Sequence, residues 1–277
     1  MVSLVTLADA ARHQRIQNQH VALTQSAPDI SHGLVVLKHE EFSVDGVQTI
    51  AHLSDDKPLL AHARNAAGDW AAQNSDDEII IFLDADCLPG KHLIERYVQA
   101  LDEHPHAVVT GPVTYLEAQD STEQQVAKYC ASPATLDAVT SPHPARPYPE
   151  EGTMFAATPD QYNVFWSLTF ALRASTWKKI RAKWGGFDED FKGYGGEDTD
   201  FGWKLREHDV ELWWVGGAHA YHVWHPVSSP PWENLTDIVA NANTFYEKWG
   251  QWAMLDWLKE FEAAGAVRRV KDRWELV

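Results

Sequence analysis

Two cysteines, Cys87 and Cys130, are all that the 277 residues contain. That argues against a disulfide framework and against a cysteine-built zinc site. No run of 18 apolar residues occurs, so no segment has the length of a membrane-spanning helix. The opening residues lack the basic, apolar and small-residue zones of a signal peptide. The chain is expected to be soluble and cytoplasmic, with a peripheral place at a membrane left open through whatever it acts on. Positive charge is scarce: 23 Lys and Arg stand against 40 Asp and Glu, a formal charge of −17. Basic runs stop at pairs such as Arg268-Arg269. A nucleic-acid partner would need a basic face, and a membrane-binding segment a longer basic stretch. Neither is expected. Such acidity suits a site that takes a cation. Internal repeats and low-complexity tracts are absent as well. What is plentiful is apolar content, 44%, enough for a packed core. There are also thirteen tryptophans, nearly all from Trp166 onward. Most Trp are core residues, but a local excess also suits stacking on sugar rings.

Strand and helix patterns alternate along the first half. Val2 to Leu7, Leu34 to Leu37, Val47 to Leu53, the run before Asp84, and Ala107 to Thr110 read as strands. Asp9 to Leu23, the segment opened by Pro58, and His92 to Leu101 read as helices between them, with Asn74-Ser75-Asp76-Asp77 as a turn. The expected fold class is α/β, a mostly parallel central sheet with helices on both faces. Ser132 to Asp160 is rich in Pro, Ser and Thr and cannot be a helix or a central strand. A loop of this length is expected to be a mobile lid over about residues 141–163. Phe165 to Leu172 resumes as a strand, and Asn234 to Phe261 reads as helix. The expected division is a catalytic domain over 1–229, its donor half 1–115 and acceptor half 116–229, and a C-terminal helical extension over 230–277.

Asp84-Ala85-Asp86 ends the apolar run Ile79-Ile80-Ile81-Phe82-Leu83. In an extended chain these two carboxylates point to one side, roughly 7 Å apart. They can hold one hard divalent cation, at the strand end where open α/β sheets bind ligands. In isolation such a pair is more often an acidic turn. A second constellation strengthens the first. Gly185-Gly186-Phe187-Asp188-Glu189-Asp190-Phe191 leads into Gly193-Tyr194-Gly195-Gly196-Glu197-Asp198-Thr199-Asp200-Phe201. Glu197 to His208 reads helical, which crowds Glu197, Asp198 and Asp200 into its first turn. Acids there complement the helix dipole and cap free N–H groups. The dipole is also expected to depress the pKa of such an acid and keep it ionised as a base for a hydroxyl. Further on stand His219, His222 and His225. In an extended segment His222 faces away from the other two, so all three are not expected on one ion. One imidazole completing the aspartate site is the sharper reading.

These two motifs together, Asp84-Ala85-Asp86 and the long stretch from Gly185 to Arg206, resemble the GT-A glycosyltransferases. More narrowly the chain resembles glycosyltransferase family 2 with the C-terminal portion of the beta-1,4-galactosyltransferases and chondroitin-type polymerases, over roughly residues 2–225. Ala63-Arg64-Asn65-Ala66-Ala67-Gly68 is similar to the A-R-N-x-G segment of that family. The resemblance implies donor contacts at Asp84 and Arg64, a metal ligand at Asp86, and a second at His222, with His225 as the alternative. It implies Asp198 as catalytic base and Glu197 on the acceptor, where Trp166 and Tyr194 are further acceptor candidates. The family's Asp-Asp-Gly-Ser after the second strand is replaced by Lys38-His39-Glu40-Glu41, which leaves Asp9 and Glu40 as candidates for the base of the nucleotide.

The expectation is therefore a metal-dependent, inverting glycosyltransferase of the hexosyl- or N-acetylhexosaminyl-transferring kind. It would take a nucleoside-diphosphate sugar, with UDP-sugar preferred, and a glycan or small-molecule acceptor. Mn²⁺ is preferred over Mg²⁺ because it tolerates imidazole. Two other classes stand beside this one. A sugar-nucleotide nucleotidyltransferase would want a glycine-rich basic loop after the first strand, where this chain has Ala8-Asp9-Ala10-Ala11-Arg12. A non-catalytic glycan-binding protein would use the tryptophans without a metal.

Overall fold

The computed structural model describes residues 1–73 and 75–277. Asn74, placed above in a turn, lies outside the described residues. In chain order the elements are β1 (Val2–Ala8), α1 (His13–Ser26), β2 (Ser31–Leu37), β3 (Gln48–Leu53), α2 (Leu60–Ala71), β4 (Ile79–Leu83), β5 (Cys87–Pro89) and α3 (Leu93–Glu103). There follow β6 (Val108–Thr110), β7 (Val113–Tyr115), α4 (Glu123–Ala131), β8 (Met154–Ala156), β9 (Thr169–Arg173), α5 (Ala174–Trp184) and α6 (Glu197–Glu207). The chain closes with β10 (Leu212–Val215), β11 (Ala220–His222), α7 (Leu235–Trp249), α8 (Leu255–Ala263), β12 (Val267–Val270) and β13 (Arg273–Leu276).

The main sheet has the order β3-β2-β1-β4-β9-β6-β10-β8. Its first four strands are parallel to one another, as are β6 and β10; β9 and β8 run antiparallel to their neighbours. This is the mostly parallel sheet expected. β4 shows why its sequence has no polar break. Ile80 and Phe82 point into one core with α2 and α5, while Ile79, Ile81 and Leu83 point into another with α3. Helices cover both faces, so both sets of alternating side chains must be apolar. Gly68 lets α2 come down on α5, because a Cβ there would enter the Trp177 indole. A small sheet, β5-β11-β7, stands off the main one and carries the chain past the Asp84-Ala85-Asp86 turn.

Three expectations change. The strand foreseen at Phe165 starts only at Thr169. The bond from the Asp84 N–H to the Leu168 C=O carries the β4–β9 register one step beyond Thr169, but the Trp166 carbonyl accepts from Arg146 instead of a neighbouring strand. The single C-terminal helix is two helices, parted at Gly250 and Met254, both at positive φ. The extension also ends on an unforeseen hairpin, β12–β13, whose Val267 and Trp274 close a core with Ile238 and Phe261. Within Ser132 to Asp160, no α-helix forms, and the one strand, β8, takes the sheet edge. Residues 133–139 are wound as a 3-10 helix.

Candidate active site

Strands β1, β2 and β4 share one direction, so their carboxyl ends deliver Asp9, Lys38 and Asp84 to one edge of the sheet. There an ion-pair cluster forms. Lys38 Nζ reaches Asp9 at 2.5 Å, and Arg12 bridges Asp9 (3.2 Å) and Asp86 (3.1 Å). Arg15 holds the other Asp86 oxygen at 3.0 Å. The turn bearing Asp84 and Asp86 is set by Gln19 of α1, fully buried. Its amide donates to the carbonyls of Asp84 and Cys87, both at 2.8 Å, and its own carbonyl accepts from Thr6. Burial, and then the charge of Asp86, raise the pKa of Asp84. Glu40 is exposed and has no hydrogen-bond or ion-pair partner among the described residues. Lys38, two residues earlier, is the side chain that reaches Asp9.

The second constellation arrives from the far side. Gly195 and Gly196, at φ of 95° and 93°, turn the chain into α6. Glu197 is 5% exposed and receives Arg64 Nη1 at 2.8 Å, while its second oxygen has no partner. Asp198 accepts from the amide of Thr199 at 2.7 Å. The pKa of Asp198 is not depressed. It is pushed up to about 6, by burial first and by the Glu197 charge second. Desolvation and a like charge outweigh the dipole that the sequence suggested. Asp200 does not join the site: it is fully buried and held by Lys248 Nζ (2.8 Å) and Trp249 Nε1 (2.7 Å) of α7. The two constellations meet at Arg64, which donates to Glu197 at 2.8 Å and whose charge acts on both Asp84 and Asp198.

The histidines divide differently from the extended-chain expectation. His222 ends β11 and the chain then turns, so His222 and His225 both approach Asp86; ligand atoms of all three lie within 4.8 Å of one another. They are not alternatives in space. His219 is buried elsewhere, 2.7 Å from Thr114 Oγ1 and stacked on Tyr221. Burial lowers the pKa of His222 to about 4, so its ring is neutral with a lone pair at neutral pH. Its Nδ1 has no protein partner. One carboxylate and two imidazoles in this arrangement fit a divalent metal ion.

Of the acceptor candidates, Trp166 is half-buried and lies 5.4 Å from the Arg146 guanidinium, with His143 at its edge. Tyr194 is 39% exposed, stacks on Trp257 of α8, and lies in the field of Asp198 and Glu197. Arg12, Arg15, Gln19 and Arg146 were not singled out from sequence. Arg12 and Arg15 do carry a signal, spacing of three on the first helix after β1, which puts both on one face. Arg146, from the Pro-rich segment, carries none. It is 3% exposed and donates to Thr110 Oγ1, Gly111 O and Trp166 O.

The family described as "Glycosyltransferase like family 2" matches residues 34–236. Validoxylamine A glucosyltransferase of Streptomyces hygroscopicus subsp. jinggangensis is 30% identical over 84 residues, 30% of this chain and 18% of that protein. Hyaluronan synthase of Pasteurella multocida is 25% identical over 195 residues, 65% of this chain and 19% of that protein. The matched stretches thus span under a fifth of these curated relatives. Among solved structures, GalNAc-T7 with UDP, GalNAc and Mn²⁺ aligns with a TM-score of 0.51 at 13% identity, covering 95% of this chain and 54% of the other. TarS of S. aureus aligns with a TM-score of 0.54 at 11% identity, covering 89% and 39%. At these identities the likeness is one of fold.

Proposed function

The chain belongs to the glycosyltransferase family 2-like proteins, and on that premise we propose that it transfers a sugar from a nucleoside-diphosphate sugar to an acceptor hydroxyl with inversion. One observation carries the reading. A site fit for a divalent ion, Asp86 with His222 and His225, stands at the sheet edge with an acid pair, buried Glu197 and half-buried Asp198, and Arg64 links the two, donating to Glu197 at 2.8 Å while its charge acts on Asp84.

In this reading Asp86, His222 and His225 would hold Mn²⁺ or Mg²⁺, which supplies charge for the leaving diphosphate when bound. Asp9 and Asp84 face the nucleoside side of the donor. Arg64 lies between the halves. It holds one oxygen of Glu197 and leaves the other, unpartnered and buried, to receive an acceptor hydroxyl. Asp198 takes the proton from the attacking hydroxyl. A pKa near 6 makes it a stronger base than an ordinary aspartate while leaving it mostly ionised at pH 7. Trp166 and Tyr194 offer aromatic faces to acceptor sugar rings. The exposed part of the Pro-rich segment 141–163, beyond the Arg146 anchor, closes over the donor and excludes water in this scheme. UDP is the preferred nucleotide, and the acceptor is a glycan or a small molecule.

Thermal melting with UDP, GDP and dTDP, each with and without Mn²⁺, tests the donor side, since a ligand that binds only the folded state raises its stability. UDP with Mn²⁺ should raise Tm beyond either alone. No shift with any nucleotide and metal would overturn the assignment.

A further inference from the structure

We infer that Arg12 and Arg15 hold the place of the cation on Asp86 in the resting protein and pass to the donor's phosphates when cation and nucleotide arrive together. The inference rests on the proposed reading of Asp86 as a metal ligand.

Each oxygen of Asp86 already has a guanidinium. Arg12 Nε lies 3.1 Å from Oδ2 and Arg15 Nε 3.0 Å from Oδ1. His225 Nε2 is 3.5 Å from Oδ2, on the same oxygen as Arg12. A divalent ion entering among Asp86, His222 and His225 would therefore meet two fixed positive charges. The local balance sharpens the point. Asp9, Asp84 and Asp86 face Arg12, Arg15 and Lys38, three acidic groups against three bases, and the cluster needs no ion to be near neutral. Adding a dication alone leaves it strongly positive. Adding a dication with a diphosphate restores the balance and gives the displaced guanidinium groups an anion of matching geometry.

Both side chains can make that move. Arg12 is 37% and Arg15 26% exposed, so their heads border solvent rather than core. Arg15 also donates to the carbonyls of Val223 and Trp224, both at 3.3 Å, and so holds the segment that carries His225. Its transfer to phosphate would release that segment as the ion site fills. Metal and nucleotide are then obliged to bind synergistically, and water-exposed Mn²⁺ has little hold on the empty protein.

Calorimetric titration of Mn²⁺ alone, UDP alone, and UDP at saturating Mn²⁺ tests this on the full chain and on Arg12→Gln and Arg15→Gln. The two ligands should respond in opposite directions. Mn²⁺ alone should bind about tenfold tighter to each variant. UDP at saturating Mn²⁺ should bind about 10- to 100-fold more weakly, the loss of a charge-assisted hydrogen bond. If both ligands weaken together, or Mn²⁺ alone binds no tighter, the arginines only brace Asp86 and the inference falls. If the unaltered protein binds UDP equally with and without Mn²⁺, the arginines stand permanently in place of a metal, and the proposed metal site fails with the inference. Should a glutamine variant fail to melt cooperatively, Arg12→Lys and Arg15→Lys serve instead. They keep the charge and lose the fork, so UDP should weaken while Mn²⁺ alone stays weak; unchanged UDP binding overturns the inference.

Discussion

Asp198 is under two conflicting demands. Packing it, half-buried, beside the Glu197 charge raises its pKa, which suits a base but costs the folded state free energy whenever it ionises. The folded protein holds this proton more tightly than the unfolded chain between the ordinary value of 3.8 and about 6. Asp198 therefore makes stability fall as pH rises through that window. Asp198→Asn should lower transfer about 10²-fold or more, keep donor binding, and raise Tm at pH 7 relative to the unaltered protein. Loss of activity together with loss of stability would mark Asp198 as a structural cap instead. The rate of the unaltered enzyme should fall on the acid side with a limb near pH 6 that belongs to the Glu197–Asp198 pair. The acid motif itself was readable in sequence. The sign of the pKa shift was not, because it depends on the depth of the pocket and on which neighbour shares it. The histidines make the same point. His222 and His225 sit on opposite faces of an extended chain, and only the turn after β11 brings both to Asp86. Alanine at His222 or at His225 should raise the Mn²⁺ concentration needed for transfer. Alanine at His219, which hydrogen-bonds Thr114, should lower Tm at unchanged Mn²⁺ dependence.

Among the elements, those with one strong period were legible: the β4 run, the stripe of α3, and α6 after its glycines. Those set by partners distant in sequence were not. Phe165–Leu168 has strand composition, yet Arg146 takes the Trp166 carbonyl and a 3-10 turn over Pro159–Val164 runs directly into it. The β12–β13 hairpin turns at Lys271 with φ of 54°, without the Asn-Gly or Asp-Gly that announces such a turn. The Pro-rich segment combines both cases. Its composition excluded a helix or central strand, but nothing in it foretold that Arg146 would be buried beneath Trp166. That anchor confines any motion to the exposed part, from Tyr148 through the Glu150–Thr153 turn. Limited proteolysis of the apo protein should cut there rather than at Arg146, and UDP with Mn²⁺ should slow the cut. Equal cleavage with and without ligand would make the segment a passive loop.

At the scale of the whole molecule, the acidic motif faces two ways. Glu197 and Asp198 look toward the site, whereas Asp200, one turn on, is buried against α7 with Lys248 and Trp249. Asn241 of α7 binds the backbone on both sides of Gly193, accepting from the Lys192 amide and donating to the carbonyls of Lys192 and Tyr194. The C-terminal extension thus fixes the loop that delivers the acids, though it lies outside every motif that pointed to chemistry. A buried carboxylate that loses its partner is destabilising by about 3–5 kcal/mol, and less where the lysine is partly exposed, as Lys248 is. For a chain of this size each kcal/mol moves Tm by roughly 2–4 °C. Lys248→Ala should therefore lower Tm by about 5–10 °C and reduce transfer. Ending the chain after residue 229 removes Lys248, Trp249 and Asn241 together and bares Phe191 and Trp203, which pack on Phe245. That shortened chain should lose its cooperative transition, or melt far below the full protein, even though every proposed donor, metal and acid residue remains. A shortened chain that melts as the full protein does would instead make the extension an independent unit, and the acid loop would have to be held from within the catalytic half.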